Sequence, residues 1–132
     1  MVITRYVIDS WGWIEYLSQS IHGEKVKLII DDEKNEIFIN SIIIAEVISK
    51  ATREKRDANI AFKALSTIGR IADINDSEFS KEVGIIHAKT REKIKDFGLA
   101  DAFILATARK LNAKLITGDP HFEEFKEAIV IQ

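Results

Sequence analysis

The stretch Leu99–Phe122, LADAFILATARKLNAKLITGDPHF, decides the fold class. Its first half is the most apolar helical pattern in the chain, opened by Gly98 and closed by Asn112. Its second half, AKLITGD, is a short apolar run that stops at a Gly-Asp-Pro turn, which reads as a strand. A helix feeding a short buried strand is the repeating unit of a parallel sheet covered by helices.

Outward from there the same alternation continues. Val2 to Ile8 reads as a strand rich in β-branched residues that ends at Asp9-Ser10. Trp13 to Leu17 begins a helix, and Glu24 to Asp32 a second, with Val26, Ile29 and Ile30 spaced for one apolar face. Glu36 to Asn40 reads as a strand, after which Ser41 caps a helix from Ile42 to Arg53, although IIIAEV could also prolong the strand. Ala58–Ile68 reads as a helix, Ile71–Ile74 as a short strand and Ser77–Lys95 as a long charged helix. Beyond Pro120, HFEEFKE reads as a short helix and AIVIQ as the last strand. The expected architecture is a three-layer α/β fold with a central parallel sheet of four to five strands. It spans residues 1–132 as one domain.

The 132 residues allow one core, and 46% hydrophobic with 30% charged residues is ordinary for a globular protein. With no cysteine there is no disulfide framework and no thiolate metal site. Arg5, Asp9 and Glu15 interrupt the apolar start, so it is read as neither signal peptide nor membrane span, and the expected location is cytoplasmic. A net charge of −2 argues against nucleic-acid binding through a globally basic surface. It leaves room for a site whose bound cation restores positive charge locally.

Four acids stand out by position. In a parallel αβ sheet the C-terminal ends of the strands and the N-terminal ends of the following helices share one edge, where ligands bind. Asp9 follows the first strand and Asp119 the strand AKLITGD; Glu46 lies early in the helix after the second strand, and Asp101 in the first turn of its helix. All four can meet. Such carboxylates repel one another unless cations offset the charge, and oxygen-only donors favour Mg²⁺ or Mn²⁺ over Zn²⁺. That chemistry suits phosphodiester hydrolysis. Each acid also has a simpler use: Asp9 and Asp101 as helix caps, Asp119 as a turn former, and Glu46 as a carboxylate that needs a partner among apolar neighbours.

Three segments together resemble one family. VIDSWGWIEYL (7–17), INSIIIAEVISKA (39–51) and LADAFILATARKLNAKLITGDPHF (99–122) are similar to the opening, middle and closing acidic motifs of PIN domains. Size and motif spacing look most like the VapC-type toxins of toxin–antitoxin pairs. The resemblance implies a Mg²⁺- or Mn²⁺-dependent endoribonuclease acting on RNA, a homodimer and an antitoxin partner. It implies Asp9, Glu46 and Asp101 as core metal ligands, Asp119 as the fourth acid, and Ser10 and Thr117 as supporting polar groups. The WGW of the first motif departs from the smaller aliphatic residues usual there.

Lys50 and Arg53 lie four and seven residues beyond Glu46, on its face of the helix, where they could meet RNA phosphates or simply be solvated beside Glu54 and Asp57. Lys89, Arg91, Lys93 and Lys95 read as surface charges, and His121 as a turn residue. Trp11 and Trp13 read as core or dimer-contact residues. Two other functions compete: an aspartyl-nucleophile phosphatase or phosphotransferase using Asp9, and a catalytically silent PIN-like RNA-binding module. The first usually has a second Asp two residues on, where this chain has Trp11.

Overall fold

Val7 and Ile8 are adjacent, so their side chains point to opposite faces of a strand, yet both are fully buried. A strand buried on both faces lies inside a sheet that is covered on both sides. The computed structural model, which describes residues 2–132, bears this out. Strand β1 (Thr4–Ile8) is the middle of a five-stranded sheet. The other strands are β2 (Asn35–Ile39), β3 (Arg70–Ile71), β4 (Lys114–Thr117) and β5 (Ala128–Val130). Their order is β3-β2-β1-β4-β5 and every pairing is parallel.

Helices fill the connections. Helices α1 (Ser10–Leu17) and α2 (Ile21–Asp31) link β1 to β2, and α3 (Ser41–Arg53) and α4 (Ala58–Ile68) link β2 to β3. Helices α5 (Ser77–Arg91) and α6 (Leu99–Lys110) return the chain to β4 on the other side of β1. The strand order therefore reverses between β1 and β4, and the crevice at their C-terminal ends is the usual place for a ligand in such a sheet.

The helix faces follow from burial. Ile43, Val47 and Ala51 are buried at four-residue spacing, which resolves IIIAEV as helix, not strand. Helix α6 buries Ala102 and every residue from Ile104 to Ala108, so it runs through the core, as its apolar composition requires. Asn112 ends it in the left-handed region, at φ 52°.

Several boundaries shift for identifiable reasons. Val2 and Ile3 are exposed and β1 starts at Thr4, where pairing with Asn35 begins. Asn40, not Ser41, caps α3, accepting from the Ile43 amide at 2.9 Å. Ser41 instead donates its amide and hydroxyl to Asp73, at 2.7 and 2.6 Å, and so ties the exit of β3 to the first turn of α3. Strand β3 is two residues long, and α5 stops at Arg91 so that Ile94 and Phe97 can turn into the core. The segment after Asp119 is a 3-10 helix, Pro120–Glu124, with Phe122 buried against Phe97 at a centroid distance of 5.6 Å.

Leu105→Ala should cost about 2–5 kcal/mol in urea unfolding, since it opens a cavity in a fully buried position. Leu28→Ala, on an exposed site of α2, should stay within about 0.5 kcal/mol. Equal effects of the two substitutions would contradict this assignment of the core.

Candidate active site

The register of the two central strands builds the site. Ile8 pairs with Ile116, so the chain leaves β1 and β4 at the same level. The Asp9 amide donates to the Ile116 carbonyl at 3.0 Å, and the Asp9 carboxylate caps α1 by accepting from the Gly12 amide at 2.9 Å. Across from it Thr117, fully buried, hydrogen-bonds the Asp9 carboxylate through its hydroxyl. The same hydroxyl oxygen accepts from the Asp119 amide at 3.2 Å. Thr117 thus fastens the turn that carries Asp119 to the carboxylate of Asp9.

The other acids approach from helices. Asp101 lies in the first turn of α6 and accepts from the Gly98 amide at 3.0 Å, closing the start of the helix as an acidic residue at that position can. Glu46 lies in the second turn of α3, with the Ser10 hydroxyl hydrogen-bonded to it. Asp119 is at the rim, its side chain about half exposed, accepting from the His121 amide at 2.9 Å with His121 Nδ1 at 3.3 Å.

Burial raises the Asp9 pKa to about 6; the bonds from Thr117 and Gly12 oppose the rise, and the charges of Asp101 and Glu46 add to it. Burial likewise raises Glu46, against its bond from Ser10 and with the charge of Asp101 adding to the rise. Burial raises Asp101 too, opposed by the Gly98 bond and by nearby His87, and reinforced by Asp119 and Asp96. Asp9, Glu46 and Asp101 therefore form one electrostatically connected group, and Asp119 joins it through Asp101. Among the described residues, no Lys, Arg or His forms an ion pair with Asp9, Glu46 or Asp101. Three partly buried carboxylates share the edge without a paired cation.

Among the described residues, no three His, Asp or Glu side chains close into a group able to hold a metal ion as they stand. The donors nevertheless suit a hard divalent cation. They are carboxylate oxygens, no ion pair among the described residues engages them, and their mutual repulsion is the force that a central cation would reverse.

A groove of about 770 Å³ runs from this edge between α1 and α3. Ser10, Trp11 and Glu46 lie at the end near the acids, and Lys50, Arg53 and Arg56, with Glu15 and Glu54, supply the charges of the remainder. Of the four acids only Glu46 reaches it. Lys50 and Arg56 both pair with Glu54 at 3.6 Å, whereas Arg53 has no carboxylate partner among the described residues. Arg56 escaped the sequence reading because it lies past the end of α3. Lys55, at φ 59°, turns the chain back there, and no helical spacing foretells the turn.

Trp13 is fully buried; Trp11 is partly exposed, packs against the edge of the core and also lines the groove. Its ring packs on Gly118. A Cβ there would come within 2.5–2.6 Å of three ring atoms, so only glycine permits this approach. Lys89, Arg91, Lys93 and Lys95 are all exposed.

The sequence model of the PIN domain family matches residues 6–128. Among solved structures, VapBC2 from Rickettsia felis, bound to a DNA fragment from its promoter, is similar at 18% identity and TM-score 0.72. That alignment covers 96% of this chain and 97% of the other. A toxin–antitoxin complex from Klebsiella pneumoniae matches at 25% identity and TM-score 0.67, covering 95% and 96%. VapC20 of Mycobacterium tuberculosis, a toxin that cleaves the sarcin–ricin loop, matches at 16% identity and TM-score 0.69, covering 92% and 95%. Comparison with curated proteins gives no match.

The strain of buried charge can be measured directly. Above pH 6 the native state carries an ionised Asp9, whereas the unfolded chain ionises near 3.8, so the native state bears the full cost. As pH falls from about 6 towards 3.8 the native state takes up a proton that the unfolded chain does not, and stability rises. The cost at neutral pH is about 3 kcal/mol at most, less where water reaches the carboxylate. In EDTA at pH 7.5, Asp9→Asn, which keeps a cap acceptor for Gly12, should melt roughly 5 °C above wild type. The gain should vanish near pH 4. A variant that melts lower at pH 7.5 would remove the repulsion.

Proposed function

The chain belongs to the PIN domain family, and from that footing we propose that it is a metal-dependent endoribonuclease, the toxin of a toxin–antitoxin pair. The observation that carries the reading is the set of three connected carboxylates, none of them ion-paired among the described residues, at the point where the strand order reverses. The likeness to the Klebsiella pneumoniae complex and to VapC20 supports the toxin assignment. An antitoxin partner, a homodimer and a cytoplasmic location belong to the same reading. No helix among the described residues is long and apolar enough to cross a membrane.

In this mechanism Asp9, Glu46 and Asp101 would hold Mg²⁺ or Mn²⁺, and Asp119 at the rim would help to hold a second ion or position the water. Bound there, a divalent ion supplies positive charge against the scissile phosphate and a more acidic water at neutral pH. The protein's own groups do the positioning. Thr117 keeps the Asp9 carboxylate oriented and anchors the Asp119 turn to it. Ser10 orients Glu46. Along the groove, Lys50 and Arg53 attract the phosphates that flank the cleaved bond, and so compensate for the acidic net charge of the chain. A basic side chain on a flexible antitoxin segment would be attracted to the same carboxylates and would inhibit by occupying their place.

Cleavage of single-stranded RNA should require Mg²⁺ or Mn²⁺ and cease in EDTA. Asp9→Asn and Asp101→Asn should each lower the rate by more than about a hundredfold, the scale of losing a charge-stabilising group. Both variants should keep wild-type far-ultraviolet circular dichroism. Cleavage at the wild-type rate in either variant would remove the site assignment.

A further inference from the structure

Trp11 stands where the acidic edge opens into the groove, beside Ser10 and Glu46. A tryptophan ring is highly buried on average though seldom completely so, and Trp13, two residues later, is buried whole. Trp11 is held differently. Its flat face lies on the backbone of Gly118, with the ring-fusion atoms Cδ2 and Cε2 and the neighbouring Cζ2 almost equally close to where a Cβ would stand. The covered face is therefore the one against the turn that carries Asp119, and the surface that lines the groove is the rest of the ring. His22 flanks it with a centroid distance of 5.6 Å at a 53° tilt, and restricts its swing further. The ring is thus pinned from two sides and still open to the groove.

The groove wall carries Lys50, Arg53 and Arg56 together with Glu15, Glu46 and Glu54. Lys50 and Arg56 pair with Glu54, and Glu15 lies 3.3 Å from His22, whereas Arg53 has no carboxylate partner among the described residues. A pinned aromatic surface in one groove with an arginine that no carboxylate engages matches what a single nucleic-acid strand presents: unpaired bases with flat faces, strung on phosphates. A duplex, whose bases are already stacked and paired, offers no face to the ring.

We propose that Trp11 is the stacking platform for an unpaired base next to the scissile phosphate, with Arg53 and Arg56 tracking the strand beyond it, so that this groove selects single-stranded RNA. The proposal rests on the ribonuclease reading above and adds a specificity-determining residue to it. The WGW at positions 11–13 then separates two jobs: Trp11 presents a ring to the groove, and Trp13 fills the core.

The test pairs a substitution in the protein with one in the RNA. Cleavage sites of a single-stranded oligoribonucleotide are first mapped with wild-type protein in Mn²⁺. Steady-state kinetics are then measured with that RNA and with copies carrying an abasic nucleotide at each position beside the mapped site. Trp11→Leu should raise KM about tenfold on intact RNA, the scale of losing one stacked base. Trp11→Phe should recover most of the loss. At one position the abasic substitution should cost wild-type protein the same factor and cost Trp11→Leu almost nothing. A merely structural role for the ring would not produce that convergence.

A second measurement does not need turnover. RNA should quench part of the tryptophan fluorescence of wild-type protein in Ca²⁺ and none in Trp11→Phe, where only the buried Trp13 emits. If wild-type protein cleaves no RNA under any metal condition while the quenching is present, the ribonuclease reading fails and the base contact stands. Losses on Trp11→Leu that are equal for intact and abasic RNA at every position would overturn the proposal. Unchanged RNA affinity in both Trp11→Leu and Arg53→Glu would overturn it too, and would assign the groove to a protein partner.

Discussion

Everything at the functional edge depends on the pairing of β1 with β4. Because Ile8 lies opposite Ile116, the first residue beyond β1 and the turn beyond β4 emerge at the same height, and the Asp9 amide is bonded to the Ile116 carbonyl. The pairing leaves Asp9 little freedom. Its amide is spent on β4, its carboxylate caps α1, and Thr117 holds that carboxylate from the other side. Helices α3 and α6 then bring Glu46 and Asp101 to the same crevice, which buries their charges enough to raise the pKa of each. A chain selected only for stability would place a Lys or Arg among these three acids, or make one of them apolar.

The supporting structure is arranged to carry that load. The C-terminal ends of β1 and β4 are buried on both faces, and α6 is buried from Ala102 to Ala108 except at Phe103, so the strand ends and the body of α6 are built into the core. The bonds that hold Asp9 and Asp101 come from the backbone amides of Gly12 and Gly98, and do not consume a side chain of opposite charge. Hydrogen bonds of this kind orient a carboxylate while leaving its charge available to a cation. Gly118 has a second structural duty: its missing side chain admits the Trp11 ring, which links the Asp119 turn to the wall of the groove.

Much of this was legible in the sequence because it is local. The apolar period of LADAFILATARKL and the stop at Gly118-Asp119 locate α6, β4 and the edge between them, and Ala58–Ile68 was read with its true ends. The places of Asp9, Glu46, Asp101 and Asp119 in the fold follow from strand and helix ends alone. What stayed hidden depends on distant partners. Nothing near Ser41 announces that Asp73 will claim its hydroxyl and leave the cap to Asn40. Nothing near Lys95 announces that α5 must end early so that Ile94 and Phe97 can turn inward. Trp11 packs against the core, yet its contact with Gly118, more than a hundred positions away, has no local signal.

The central claim is that the connected carboxylates exist to hold a divalent cation, and titration calorimetry with Mn²⁺ tests it most directly. Wild-type protein should bind Mn²⁺ saturably. Asp9→Asn, Glu46→Gln and Asp101→Asn should each weaken that binding by more than about tenfold while remaining folded. Binding that is equally tight in all three variants, or none at all in wild-type protein at millimolar Mn²⁺, would contradict the account.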